Sequence, residues 1–99
     1  MSNAVYFVSY KLKKGASVPD FLLASEKLNS EYMCKQKGYI SWKVLNEGET
    51  WVDLLTFETM EDAKRVSQPG ETNDLAEQFY KFINLNSCKS HIFLVERSY

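Results

Sequence analysis

The chain has little from which to build a covalent or metal-held framework: two cysteines, Cys34 and Cys88, and one histidine, His91, in 99 residues. Two cysteines fall far below the density of a disulfide scaffold. A lone histidine, with no Cys-x-x-Cys or His-x-x-x-His spacing, leaves no zinc motif, so no metal is expected. Charge of one sign is also missing: twelve Lys and Arg face thirteen Asp and Glu, for a net charge of −1. No basic field awaits a phosphate backbone, and nucleic acid is not an expected partner. The N-terminal apolar run, Ala4 to Val8, is too short for a signal peptide or a membrane span, so no membrane partner is expected and the protein is read as cytoplasmic. Gly-x-Ser-x-Gly, the P-loop and Gly-x-Gly-x-x-Gly are all absent. Their absence removes the signatures of ordinary nucleophilic, phosphoryl-transfer and dinucleotide chemistry, and no cofactor is expected.

What the chain does have is apolar and aromatic bulk, 44% hydrophobic and 14% aromatic. That suffices for one modest core and one domain over residues 1–99. Val5 to Leu12 is β-branched and aromatic and closes at Lys13-Lys14-Gly15, a strand and its turn. Ser17 caps a helix, with Pro19 in the first turn and Asp20 in capping-box spacing. Phe21, Leu22, Ser25, Leu28 and Tyr32 form its inward stripe, and Lys35, Lys37 and Gly38 end it. Tyr39 to Leu45 and Thr50 to Phe57 flank Asn46-Glu47-Gly48-Glu49 as a hairpin. Thr59 caps a second helix with Met60, Ala63 and Val66 inward, broken at Gln68-Pro69-Gly70-Glu71. Asp74 to Asn84 reads as a third helix with Leu75, Ala76, Phe79, Phe82 and Ile83 on one face. Cys88 to Arg97 is the last strand. The order βαββαβ, its second helix split, predicts a ferredoxin-like α+β fold with a four-stranded antiparallel sheet.

Such a sheet, with helices on one side, ordinarily alternates apolar and polar residues along its strands. These strands carry apolar residues on both faces. Val5 and Phe7 oppose Tyr6, Val8, Tyr10 and Leu12; Val52 and Leu54 oppose Trp51, Leu55 and Phe57; Phe93 and Val95 oppose Ile92 and Leu94. Helices cover only one face, and the other would exceed the few hundred Å² of exposed apolar patch that a monomer tolerates. A second copy packed sheet to sheet resolves this, so a homodimer is expected.

Asp53 interrupts an apolar strand that is central in this order, where an unpaired carboxylate costs several kcal/mol. It is either a ligand anchor or a general base with a raised pKa, or else a structural residue paired across the hairpin. A three-residue loop would place Ser41 opposite it and Lys43 on the diagonal; a loop of two or four residues would place Trp42 there. His91 is a candidate acid or base on the last strand. Tyr6, Tyr10, Trp51 and Phe57 could line an apolar cleft with Asp53 as its polar point, edged by the break from Ser67 to Asn73. The alternative is a filled core.

The chain resembles the dimeric α/β-barrel superfamily, and within it the antibiotic biosynthesis monooxygenase-like group. The resemblance spans nearly the whole chain. It rests on Lys14-Gly15 after the first strand, on Gly38-Tyr39 opening the hairpin, and on Trp51-Val52-Asp53-Leu54-Leu55-Thr56-Phe57-Glu58-Thr59-Met60-Glu61-Asp62-Ala63. It implies a homodimer of facing sheets and, within a family of varied activities, a cofactor-independent monooxygenase or isomerase acting on a small aromatic or apolar molecule. It places Asp53 and Phe57 on the helix-facing side, where the pocket of such proteins lies. The heme-degrading branch carries an Asn on strand 1, a Trp on the second helix and a His after it. The first two positions here hold Val8 and Val66, and no His occurs between Thr59 and Asn86, which disfavours that activity. The rival class is a non-catalytic dimerisation or protein-interaction module.

Overall fold

The structure, a computed structural model, describes residues 2–68 and 73–99. The predicted break at Gln68-Pro69-Gly70-Glu71 therefore lies, beyond Gln68, outside the described residues. Strands β1 (Ala4–Leu12), β2 (Tyr39–Glu47), β3 (Thr50–Phe57) and β4 (Ile83–Leu94) form one sheet in the order β2-β3-β1-β4. All three strand pairings are antiparallel. Helices α1 (Val18–Glu31), α2 (Met60–Ser67) and α3 (Asp74–Tyr80) complete a ferredoxin-like α+β fold. Among the described residues no helix is long and apolar enough to cross a membrane.

The helix starts follow their capping residues. Ser17 Oγ accepts the Asp20 N–H at 3.3 Å and Thr59 Oγ1 accepts the Asp62 N–H at 3.1 Å. Each satisfies one of the donors a helix N-terminus leaves free. Asn73 caps α3 in the same way, accepting the Ala76 N–H at 2.7 Å. The first helix ends earlier than its stripe predicts. It stops at Glu31, Tyr32 leaves helical geometry, and a separate 3-10 turn follows at Met33–Lys35. Phe21, Ser25 and Leu28 are buried as expected, while Leu22 and Tyr32 stay partly exposed, at 41% and 37%. Gly38 (φ +80) turns the chain into β2. A Cβ there would run into the Asp62 carboxyl of α2, so both the backbone angle and the close approach require glycine.

The C-terminal third departs most from the sequence reading. The third helix ends at Tyr80 rather than Asn84, and β4 spans Ile83–Leu94 rather than Cys88–Arg97. Ile83 and Asn84 pair with Leu12 and Lys11, so the sheet claims residues whose spacing also fits a helix. A register shift opposite Ser9 to Lys11 absorbs the chain between Asn84 and Lys89. Phe79 and Ile83 are buried from either assignment, which is why helical periodicity misled.

The core lies between the helices and one sheet face and divides in two. Tyr10, Phe21, Leu28, Phe79 and Ile83 form one cluster. Ala4, Leu55, Phe57 and Ala63 form the other, with Met60 and Val66 packed against it. Phe21 is the hub of the first: its ring meets Trp51 at 5.2 Å and Phe79 at 5.3 Å. The opposite sheet face holds Val5, Phe7, Leu45, Val52, Leu54 and Phe93, none of which joins either cluster. Phe93 there is 53% exposed and Leu45 42%.

Candidate functional site

A cavity of about 190 Å³ opens at the seam between the two clusters. The first cluster contributes Val8, Tyr10, Leu28, Trp42, Phe79 and Ile83 to its wall. The second contributes Tyr6, Met33, Leu55 and Val66. Tyr80, Cys88, Ser90 and the Asp53 carboxyl supply the remaining polar groups.

Asp53 reaches the cavity because of the hairpin register. Glu47 pairs with Thr50, leaving Gly48-Glu49 as a two-residue loop. Gly48 has φ +60 at the first central position, the requirement of a II′ turn. This register places Val44 opposite Asp53 and Trp42 opposite Leu55. Neither sequence-based pairing of Asp53 is realised: Ser41 faces Thr56, Lys43 faces Leu54, and Trp42 is a diagonal neighbour on the same face. On the other side Val8 faces Asp53, and Tyr10, one position along that face, folds its ring back over the carboxyl. The Tyr10 hydroxyl donates to Asp53 Oδ1 at 2.8 Å.

The carboxyl is thus buried, only 7% exposed, in an apolar wall with one strong donor. Burial pushes its pKa up to about 6, and the hydrogen bond from Tyr10 and the nearby Trp42 indole hold it from rising further. Burial, together with the charge on Asp53, raises the Tyr6 and Tyr10 phenols and the Cys88 thiol above their ordinary ranges. Around neutrality these groups are donors, and Asp53 is the base among them. Among the described residues no three His, Cys, Asp or Glu side chains stand close enough together to hold a metal ion.

The Tyr10–Asp53 bond favours the ionised carboxyl, which gives Tyr10→Phe a signature. At pH 8 the substitution should cost about 2 kcal/mol, the scale of a hydrogen bond to a charged group. At pH 4, with Asp53 protonated in the folded state, the loss should shrink to about 1 kcal/mol. Urea unfolding at the two pH values checks this, and equal losses would contradict it.

Of the residues singled out in the sequence, Tyr6, Tyr10 and Asp53 meet at the cavity. Trp51 faces the same side but packs on Phe21, and Phe57 is fully buried in the second cluster; both stand behind the wall rather than in it. His91 lies across the sheet. It pairs with Phe7 and stacks on Phe93 with ring centroids 5.6 Å apart, so it cannot share a proton with Asp53. Sequence reasoning named Trp42 only as a cross-hairpin neighbour of Asp53 under two loop lengths, and did not bring Ser90 or Cys88 to the site. Alternation back from Ile92 places Ser90 on the helix face, opposite Val8, and was available as a signal. Trp42 needed the II′ register, and nothing in the sequence distinguishes Tyr80.

No family model and no curated protein sequence matches the chain. Solved structures do. SnoaB, a cofactor-independent oxygenase from Streptomyces nogalater, superimposes with a TM-score of 0.75 at 12% identity, over 99% of this chain and 97% of that one. A candidate antibiotic biosynthesis monooxygenase from Nitrosomonas europaea gives 0.71 at 15% identity, over 95% of this chain and 90% of that one. A dimeric protein of unknown function and ferredoxin-like fold from Bacteroides fragilis gives 0.62 at 17% identity, over 94% and 96% respectively. The fold is that of antibiotic biosynthesis monooxygenase-like structures.

Proposed function

We propose that this domain works as a cytoplasmic homodimer, each protomer binding a small apolar or aromatic molecule between sheet and helices and acting on it as a cofactor-independent monooxygenase or isomerase. The observation that carries the proposal is the Asp53 carboxyl, buried in an apolar cavity with a pKa of about 6 and one tyrosine donor. A base of that strength, shielded from water, suits removal of a proton from a ring hydroxyl or enol. The resulting anion is electron-rich. Returning the proton at carbon isomerises the substrate; reaction of a ring CH₂ with dioxygen yields a carbonyl and releases the second oxygen atom as water. Tyr6 and Tyr10 set the ring's angle, and Trp51 and Phe57 hold the wall from behind.

The dimer is supported by the uncovered apolar face, since a second copy of the same sheet is the self-complementary partner it fits. That the Bacteroides fragilis structure of similar fold is dimeric supports a dimer here. Both cysteines are free, which suits a reducing compartment.

Light scattering followed by a thermal-shift screen with phenols and quinones tests the proposal. The expected mass is twice the 11.5 kDa chain. A ligand at 100 times its Kd adds about 2.7 kcal/mol, a rise of about 10 °C or more for a domain this small. A dimer that no ring compound shifts would favour the non-catalytic interaction module. A monomer would remove the facing-sheet arrangement.

A further inference from the structure

Trp42 carries an unused donor. Its indole Nε1 is the one buried side-chain polar atom among the described residues with no hydrogen-bond partner. The ring is fixed edge-on to Phe79, centroids 5.5 Å apart, and lines the cavity on the same sheet face as Asp53. It lies near enough to the carboxyl to help stabilise its charge without meeting the distance and angle of a hydrogen bond. Buried donors are nearly always paired, and an orphan on a side chain that lines a cavity points to a ligand acceptor. Asp53 meanwhile has Oδ1 engaged by Tyr10 and no hydrogen bond at Oδ2 among the described residues. A free donor and a free acceptor are therefore carried by two neighbouring side chains that line one apolar space.

Size narrows the occupant further. A cavity of about 190 Å³ compares with the roughly 150 Å³ that accepts benzene, and lies below the roughly 300–1,000 Å³ of pockets for drug-sized ligands. It has room for one ring with small substituents.

We infer that the ligand is a monocyclic compound bearing an N–H or O–H donor beside a carbonyl, such as a lactam or an enolised ring ketone, whose carbonyl accepts from Trp42 Nε1 while its donor faces Asp53. Trp42 is then a positioning and specificity-determining residue. This rests on the proposed pocket function and adds the ligand's size and polar pattern.

Calorimetric titration of the full chain with 2-pyridone, phenol, toluene and anthrone tests it. 2-Pyridone, with both groups, should bind at least tenfold more tightly than phenol, phenol more tightly than toluene, and three-ring anthrone not at all. Trp42→Phe keeps an aromatic ring against Phe79 and removes the N–H together with two ring carbons. It should weaken 2-pyridone about tenfold and leave phenol within twofold. Equal effects on phenol and 2-pyridone, no effect on either, or anthrone binding as well as single rings would overturn the inference while the pocket function stands. A wild-type protein that binds none of the four would sink both.

Discussion

Asp53→Asn is expected to fold, to keep the wild-type mass in solution, and to lose turnover of a ring substrate by about 10²–10⁴-fold, the usual contribution of a general base. Its stability should move the other way. A carboxyl with a pKa near 3.8 unfolded and about 6 folded binds more protons in the native state between those values. Wild-type stability therefore falls as pH rises from about 4 to 6, and above that the buried charge costs on the order of 3 kcal/mol. Asparagine is isosteric, still accepts the Tyr10 hydroxyl and carries no charge. The variant should lose that pH dependence and melt higher than wild type at pH 8, by an amount bounded by that figure. Thermal unfolding from pH 4 to 8 reads this without any substrate. If Asp53→Asn unfolds the protein, the carboxylate is structural. A stable variant with full turnover would leave the fold and the pKa argument intact and remove Asp53 from the chemistry.

The same residue shows how far the sequence could be read. That Asp53 sits on a central strand facing the helices follows from alternation through Trp51, Leu55 and Phe57, and the structure has it there. Its neighbours depend on a turn two residues long, and Gly48 carried the information: glycine at the first central position of a II′ loop sets Val44 opposite Asp53. Sliding a two-residue loop by one position, to Gly48-Glu49, moves the partner from Trp42 to Val44, so register was the weakest inference where the site needed it most. The helix starts were legible because Ser17 and Thr59 act locally. The end of α3 was not, because Phe79 and Ile83 enter one core by helical spacing and by strand pairing alike. The cavity lies at the seam of two clusters drawn from elements distant in sequence, and no local pattern records such a seam. His91 shows the limit of residue type as a guide: imidazole chemistry is useful only on the face where the carboxyl lies, and its odd-numbered place beside Phe93 puts it on the other.

Leu54→Glu is expected to convert the proposed dimer into a folded monomer. Leu54 stands in the middle of β3 on the face the helices leave bare, between Lys43 of β2 and Phe7 of β1. In a face-to-face dimer each protomer contributes its own copy of the substitution, so two carboxylates enter one apolar interface. Desolvation costs several kcal/mol per ion, and about 4 kcal/mol already raises Kd a thousandfold. Within the protomer the same glutamate stays exposed to water and lies directly opposite Lys43, a cross-strand arrangement that supports the hairpin. The fold should therefore survive where the assembly does not. Light scattering should fall to the 11.5 kDa of one chain, with an unchanged far-ultraviolet spectrum. Leu54 also points away from the cavity, so the monomer should still bind single-ring ligands with the wild-type order of preference. Retention of the dimer by Leu54→Glu would mean that the interface lies elsewhere than on this face. A monomer that no longer binds ring compounds would mean that the pocket depends on the second copy, through pressure of one sheet on the other that keeps β3 and Asp53 in register.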